Sequence, residues 1–221
     1  MITCYGVSIS VHVRKVVVTA IAKGIDYKLE PVLPMNPPPN WLSLSPTGQV
    51  PAMQDGEFTL SESSAICLYL ERKRKEPSIL PIADNEYARA LFFDGYAGWI
   101  ARSLIQGLVF QKVINPVMLK GTTDQSVVDH LLTEVQPKIF AYLESQADGK
   151  FLVGSTLSLA DIAVVSNLIN YLYLGLGIDP AKYPRLKRYC ETIVRLEPFR
   201  QALIREAPTA EQLALSRTFL S

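Results

Sequence analysis

The chain has 221 residues, 48 % of them apolar and 19 % charged, with a formal net charge of +1. That balance belongs to a folded globular protein with length enough for one large or two small domains, and it excludes a disordered chain. With no excess of basic residues and no broad basic patch, nothing points to nucleic acid as a partner.

The run Glu71-Arg72-Lys73-Arg74-Lys75-Glu76 reads as a solvated helix C-terminus, where cations suit the helix dipole. Three scattered cysteines, Cys4, Cys67 and Cys190, argue against a disulfide framework and for a reducing compartment, the cytoplasm by default. The start of the chain lacks the charged and long apolar stretches of a signal peptide. Arg102 and Asp161 interrupt the longest apolar stretches, so no membrane span is expected.

In chain order, residues 2–5 read as a short buried strand and residues 11–23 as a helix, with Val13, Val16, Val17, Ala20 and Ile21 at helical spacing and Gly24 closing it. Residues 26–33 read as a second strand, and strand, helix, strand at this spacing makes a parallel βαβ unit. A proline-rich loop, residues 34–41, leads to PTGQVPAMQDGEFTLSESS at 46–64. Here a Thr47-Gly48 turn runs into Gln49-Val50-Pro51, and Asp55-Gly56 closes a hairpin. Glu62 and Ser63 stand where a helix over 62–75 begins, with free backbone N–H groups and a positive dipole end. Such a place suits a ligand carboxylate, and the Glu62 carboxylate suits a ligand ammonium. An amino acid, or the γ-linked glutamyl end of a peptide, offers both.

Residues 76–81, with Pro77 and Pro81, read as a break, and no strand pattern follows. A helix is predicted from Asp84 to about Ile114, stopped by Asn115-Pro116, and apolar almost all round. A second helix from Asp124 carries Pro137 inside its pattern and should kink or split there. In FLVGSTLSLADI at 151–162, Ser158 and Asp161 form a capping box ahead of an apolar helix, with Leu157 and Ile162 as its staple. Tyr183-Pro184 opens a last helix; residues 207–221 carry no assignable signal.

The GQVPA and LSES elements with a hairpin between them, followed by FLVG and SLADI in the second half, resemble the glutathione transferase family, of the serine type found in its theta and phi classes. The resemblance covers nearly the whole chain. It implies an α+β protein: a thioredoxin-like βαβ-ββα domain over residues 1–77 and an all-α domain over 84–221 that contributes the pocket for an electrophile. It implies that Val50-Pro51 is cis, that Gln49, Val50, Pro51, Glu62 and Ser63 bind glutathione with the Glu-Ser pair on its γ-glutamyl group, and that the molecule is a homodimer. Glutathione is then a cosubstrate, with no resident cofactor and no metal. Tyr96, Trp99, Arg102, Ser103 and Phe110 are candidates for the electrophile pocket or the dimer contact.

Redox members of the thioredoxin-like class carry Cys-x-x-Cys at the turn between the first strand and the first helix. This turn reads Val7-Ser8-Ile9-Ser10, so dithiol exchange by the protein itself is excluded there. A serine hydroxyl beside a helix N-terminus can instead donate to a bound thiolate. Lowering a thiol pKa by two units needs about 2.7 kcal/mol, and a charge-assisted hydrogen bond of ~1.5–3 kcal/mol with a helix dipole of ~0.3–1 kcal/mol supplies it. Serine-type members place this serine four residues before a helix arginine, and Ser10 stands four before Arg14, Ser8 six. Ser10 is therefore the catalytic candidate, against the plainer role of helix N-cap. Tyr5 reads as packing, His12 as a solvated or rim residue, and Cys67 as core. The family's basic residue for the glycyl carboxylate is missing from the 34–49 loop, which leaves Asn36, Asn40 or Gln49 as neutral donors with a lower affinity, or a carboxylate held from elsewhere, such as the partner subunit. The expected reaction is attack of the glutathione thiolate on an electrophilic carbon, with a peroxidase or disulfide reductase as a close variant. A non-enzymatic interaction module on the same fold is the rival.

Overall fold

The computed structural model describes residues 1–220. Strand β1 (Ile2–Tyr5), helix α1 (Val11–Ala22) and strand β2 (Tyr27–Glu30) form the expected parallel unit, with Ile2 opposite Tyr27 and Tyr5 opposite Glu30. A short helix α2 (Trp41–Leu44) interrupts the loop that follows. Strands β3 (Ala52–Asp55) and β4 (Phe58–Ser61) make the hairpin, and β3 runs antiparallel to β1, so the mixed sheet has the order β2-β1-β3-β4. Helix α3 (Ser63–Lys73) packs with α1 on the sheet. This is the thioredoxin-like arrangement the resemblance implies.

A helical part follows. Helix α4 (Asp84–Ile100) does not end near Asn115-Pro116 as its sequence predicts; it continues through wide π turns at Ala101–Ile105, an α segment α5 (Gln106–Val109), and further π turns at Phe110–Met118. The Leu119 N–H reaches back to the Ile114 carbonyl at 3.0 Å. In such a wide turn Pro116 is spared the carbonyl clash that stops an α-helix. Helix α6 (Gln125–His130) is capped by Asp124 and runs through wide turns at Leu131–Val135 into α7 (Gln136–Gln146), which has Pro137 in its first turn, so the predicted split falls at Val135. Then come α8 (Leu159–Tyr173), α9 (Pro184–Val194) and α10 (Glu197–Gln212), so the helix that Tyr183-Pro184 opens is not the last: Arg195 caps its end, and a new helix starts after Leu196 with Pro198 in its first turn.

Helix α8 is the axis of the helical part and is buried on every side. Its start is the predicted capping box. Asp161, fully buried, accepts from the N–H groups of Leu152 (2.8 Å) and Ser158 (2.9 Å) and from the hydroxyls of Ser158 (2.9 Å) and Tyr189 (2.9 Å). Burial pushes its carboxyl up, and these four donors oppose the shift.

Helices α8 and α10 pack directly on α1, so one apolar cluster runs unbroken from Ile2, Val16 and Ile66 to Phe93, Val165 and Leu203. A helix buried on both flanks has no room for unpaired charge, and each cation inside α1 has a partner. Arg14 meets Glu206 (2.7 Å), and Lys15 meets Asp94 (2.7 Å). Lys23, at the end of α1, meets Glu71 (2.5 Å) and the Pro77 carbonyl (2.7 Å). The acidic start of the 71–76 run is therefore an inward ion pair rather than a solvated helix end.

Candidate active site

The site is built where three chain segments converge. The first is the turn from β1 to α1. Gly6 has φ +150°, and a Cβ there would stand 2.5 Å from Val13 Cγ2 and 3.1 Å from Val50 Cβ. Only glycine lets this turn close down on α1 and the second segment together. Beyond it, Ser10 occupies the N-cap position of α1 with extended backbone (φ −66°, ψ 132°), its N–H bonded to the Val7 carbonyl and its carbonyl accepting from Arg14 N–H. A serine here normally accepts from the helix's second or third N–H; the Ser10 side chain makes no such bond. The Ser8 hydroxyl is engaged elsewhere, donating to Thr209 Oγ1 at 3.1 Å.

The second segment is the stretch before β3. Val50-Pro51 is cis, Pro51 is buried, Val50 half-buried and Gln49 exposed. The Val50 N–H and C=O have no hydrogen-bond partner among the described residues. Gln49 is tied through its main chain, its N–H to Thr47 Oγ1 at 3.4 Å and its carbonyl to the Ser45 hydroxyl at 2.7 Å, and its side chain has no hydrogen-bond partner among the described residues. Residues 34–40 all lie exposed.

The third segment is the start of α3, and here the expected picture changes. The first turn of α3 is only partly open to a ligand. Glu62, at φ +80°, folds its carboxylate back onto the Ser64 and Ala65 N–H groups (3.0 and 2.9 Å), capping its own helix. Partial burial raises the Glu62 carboxyl, but the two N–H donors, with Lys15 nearby, outweigh it and hold the group below the usual carboxylate range. What remains for a ligand is the Ser63 N–H and its hydroxyl, beside a stable anion. Ser63 is buried, with Oγ 3.4 Å from Glu62 Oε1 and 3.4 Å from His12 Nδ1.

His12 is thus not a solvated or rim residue. It stands half-buried between the first turns of α1 and α3, and it brings the two together. Burial, with Lys15 and Arg102 adding to it, pushes the imidazole down to about 4, against the pull of Glu62 and Asp94. The Lys15 ammonium bridges Ser64 Oγ (2.8 Å) and Asp94 (2.7 Å), joining the start of α3 to α4. Tyr5 donates to Gln54 (2.9 Å) and stacks edge-on to Trp41, so it packs under the sheet as expected.

Two family models match this chain, the glutathione S-transferase N-terminal domain over residues 9–73 and the C-terminal domain over residues 105–197. Glutathione S-transferase 1 of Zea mays is 36 % identical over 167 residues, 73 % of this chain and 77 % of the maize protein. The chain belongs to the glutathione S-transferase family. Among solved structures, a glutathione S-transferase from Rhodospirillum rubrum F11 superposes with a TM-score of 0.89 at 24 % identity, covering 99 % of this chain and 98 % of that one, which speaks to the fold. Glutathione S-transferase-I bound with the ligand lactoylglutathione superposes with a TM-score of 0.80 at 30 % identity, covering 92 % and 98 %.

Set in this family, the convergence joins Ser10, Val50-Pro51 and Glu62-Ser63, all named from sequence, through Gly6 and His12. Sequence reasoning missed Lys15, Asp94, Glu206 and Thr209. A weak signal existed for Lys15: with Arg14 it interrupts an otherwise apolar helix, and an interior cation must be paired. For Thr209 there was none.

Proposed function

We propose that this chain is a glutathione transferase in which Ser10 holds the cosubstrate as its thiolate. The observation that carries the reading is the Ser10 hydroxyl, seated at the positive end of a 12-residue helix yet not used to cap it. It is a donor left free, beside the helix N-terminus, for a developing sulfur anion. Glutathione's γ-glutamyl carboxylate then takes the Ser63 N–H and Oγ. Its ammonium faces Glu62, whose carboxylate is held ionised, and its cysteinyl amide pairs with the free Val50 main chain. The thiol loses its proton to solvent, and the thiolate attacks an electrophilic carbon. An S–C bond forms as the leaving group departs with its electron pair. The 34–49 loop itself offers the glycyl carboxylate only neutral partners, so where that loop meets it glutathione should bind more weakly than where a lysine does.

The test is retention on immobilised glutathione with turnover of a chromogenic aryl halide. Ser10→Ala should still be retained, with the pKa of the bound thiol raised by about one to two units and turnover cut about tenfold to a hundredfold. A variant that loses only thermal stability would make Ser10 a cap and nothing more. Wild-type protein that is neither retained nor active would favour an interaction module.

The homodimer is part of the same proposal. Phe92 and Trp99 stand about half exposed along α4, with Tyr96 stacked between them. Such an aromatic strip suits an interface. Trp99→Glu should convert a dimer to a monomer in analytical ultracentrifugation. With its three cysteines free and buried, the protein suits a reducing cytoplasm, where conjugation would serve detoxification of electrophiles.

A further inference from the structure

The turn that carries Ser10 is held from the far end of the chain. Ser8 Oγ donates to Thr209 Oγ1 on α10 at 3.1 Å. Three residues earlier on α10, Glu206 grips Arg14 with both oxygens, receiving Nε and Nη2 at 2.7 Å each, and accepts the Tyr173 hydroxyl at 2.9 Å. Arg14 Nη1 donates to Asn170 Oδ1 and the Ser166 carbonyl, both at 2.7 Å. The last of its five N–H donors reaches the Ile9 carbonyl at 3.4 Å. Arg14 is fully buried and Glu206 nearly so.

Residues three apart on a helix share a face. One face of α10 therefore fixes the peptide group before Ser10 through Arg14, and the residue before that through Thr209. Neither contact touches the Ser10 hydroxyl. Arg14 acts directly on the main chain before Ser10, and Thr209 acts through the side chain of Ser8. A contact serving only to join the two parts of the molecule has no need to end on this turn, since α1 packs on α8 and α10 along its apolar length.

We propose that α10 is a positioning element for the Ser10 hydroxyl, with Glu206 acting through Arg14 and Thr209 acting through Ser8. This rests on the reading of Ser10 above, and the experiment separates the two. The variants are Thr209→Val, which keeps the shape and removes the acceptor, Thr209→Ser, which keeps the hydroxyl, Glu206→Gln, and Ser10→Ala as reference. For each, kcat, KM for glutathione, the thermal midpoint and the pKa of the bound thiol, from thiolate absorbance against pH, are measured.

Thr209→Val should leave KM within about twofold and the midpoint within a few degrees, while kcat falls about fivefold and the thiol pKa rises by about half a unit. Thr209→Ser should restore both, and Glu206→Gln should exceed Thr209→Val in both. Thr209→Val with wild-type kcat and thiol pKa overturns the proposal, whatever happens to the midpoint. If Ser10→Ala itself leaves the thiol pKa unchanged, it is the serine reading that fails. Should Glu206→Gln not fold, because it strands a buried cation, the Thr209 pair decides alone.

Discussion

Among single residues, His12 shows how packing sets chemistry. Its imidazole is held neutral down to about 4, whereas an unfolded chain protonates it near 6.5. Between those values the unfolded state binds more protons, so stability is fully present above pH 6.5 and is lost as pH falls toward 4. From pH 7 to pH 5 the loss is on the order of 2 kcal/mol. Urea unfolding of wild type and His12→Asn at the two pH values should show this difference in the wild type and little of it in the variant. The cysteines obey the same rule with the opposite group: burial pushes the thiols of Cys4, Cys67 and Cys190 up to about 12, 11 and 12. None should react with an aromatic disulfide reagent until the protein unfolds, although a peptide thiol with pKa ~8.5 would. Ser10, Glu62 and Ser63 were legible because each sits at a helix start announced by its own neighbours. The pairing of His12 with Ser63 was not, because 51 residues separate them.

The elements are set by their ends and by the close approaches between them. Asp161 holds four donors at the start of α8. Asp161→Asn turns an amide toward groups that all donate, and should cost about 2–4 kcal/mol in urea unfolding. Ser158→Ala, which loses one hydroxyl of the box, should cost only about 1 kcal/mol. Gly6 is the corresponding point for the site. Gly6→Ala must move Val13 or Val50 and adopt a backbone conformation that L side chains rarely occupy. It should destabilise by about 1–3 kcal/mol and raise KM for glutathione, as the Ser10 turn separates from Val50-Pro51. The capping box was readable from four consecutive residues. The continuation of α4 past Pro116 was not, because it depends on wide turns that nothing in the local pattern announces.

At the scale of the whole molecule, the sheet and the helical part share one core, and three buried cations of α1 are each paired across a boundary between elements. Neither part buries its own face of α1 or α8 without the other. Unfolding should therefore be one cooperative transition. Trp41 lies beneath the sheet and Trp99 on α4, so Trp41→Phe and Trp99→Phe report each half by fluorescence. Their urea midpoints should coincide, and two separated transitions would contradict a shared core.

Sequence by itself determined the βαβ unit, the hairpin, both helix starts that matter, and the residue types at the site, because periodicity, turn dipeptides and caps act within a few residues, but it did not announce α2 or α10. Tertiary structure alone decided that Glu62 caps its own helix, that His12 stays neutral against Ser63, and that α10 reaches back across 192 residues to Arg14. Those outcomes depend on which surfaces meet when the two parts close on one core. Burial then forces every trapped polar group to find a partner, wherever in the chain that partner lies.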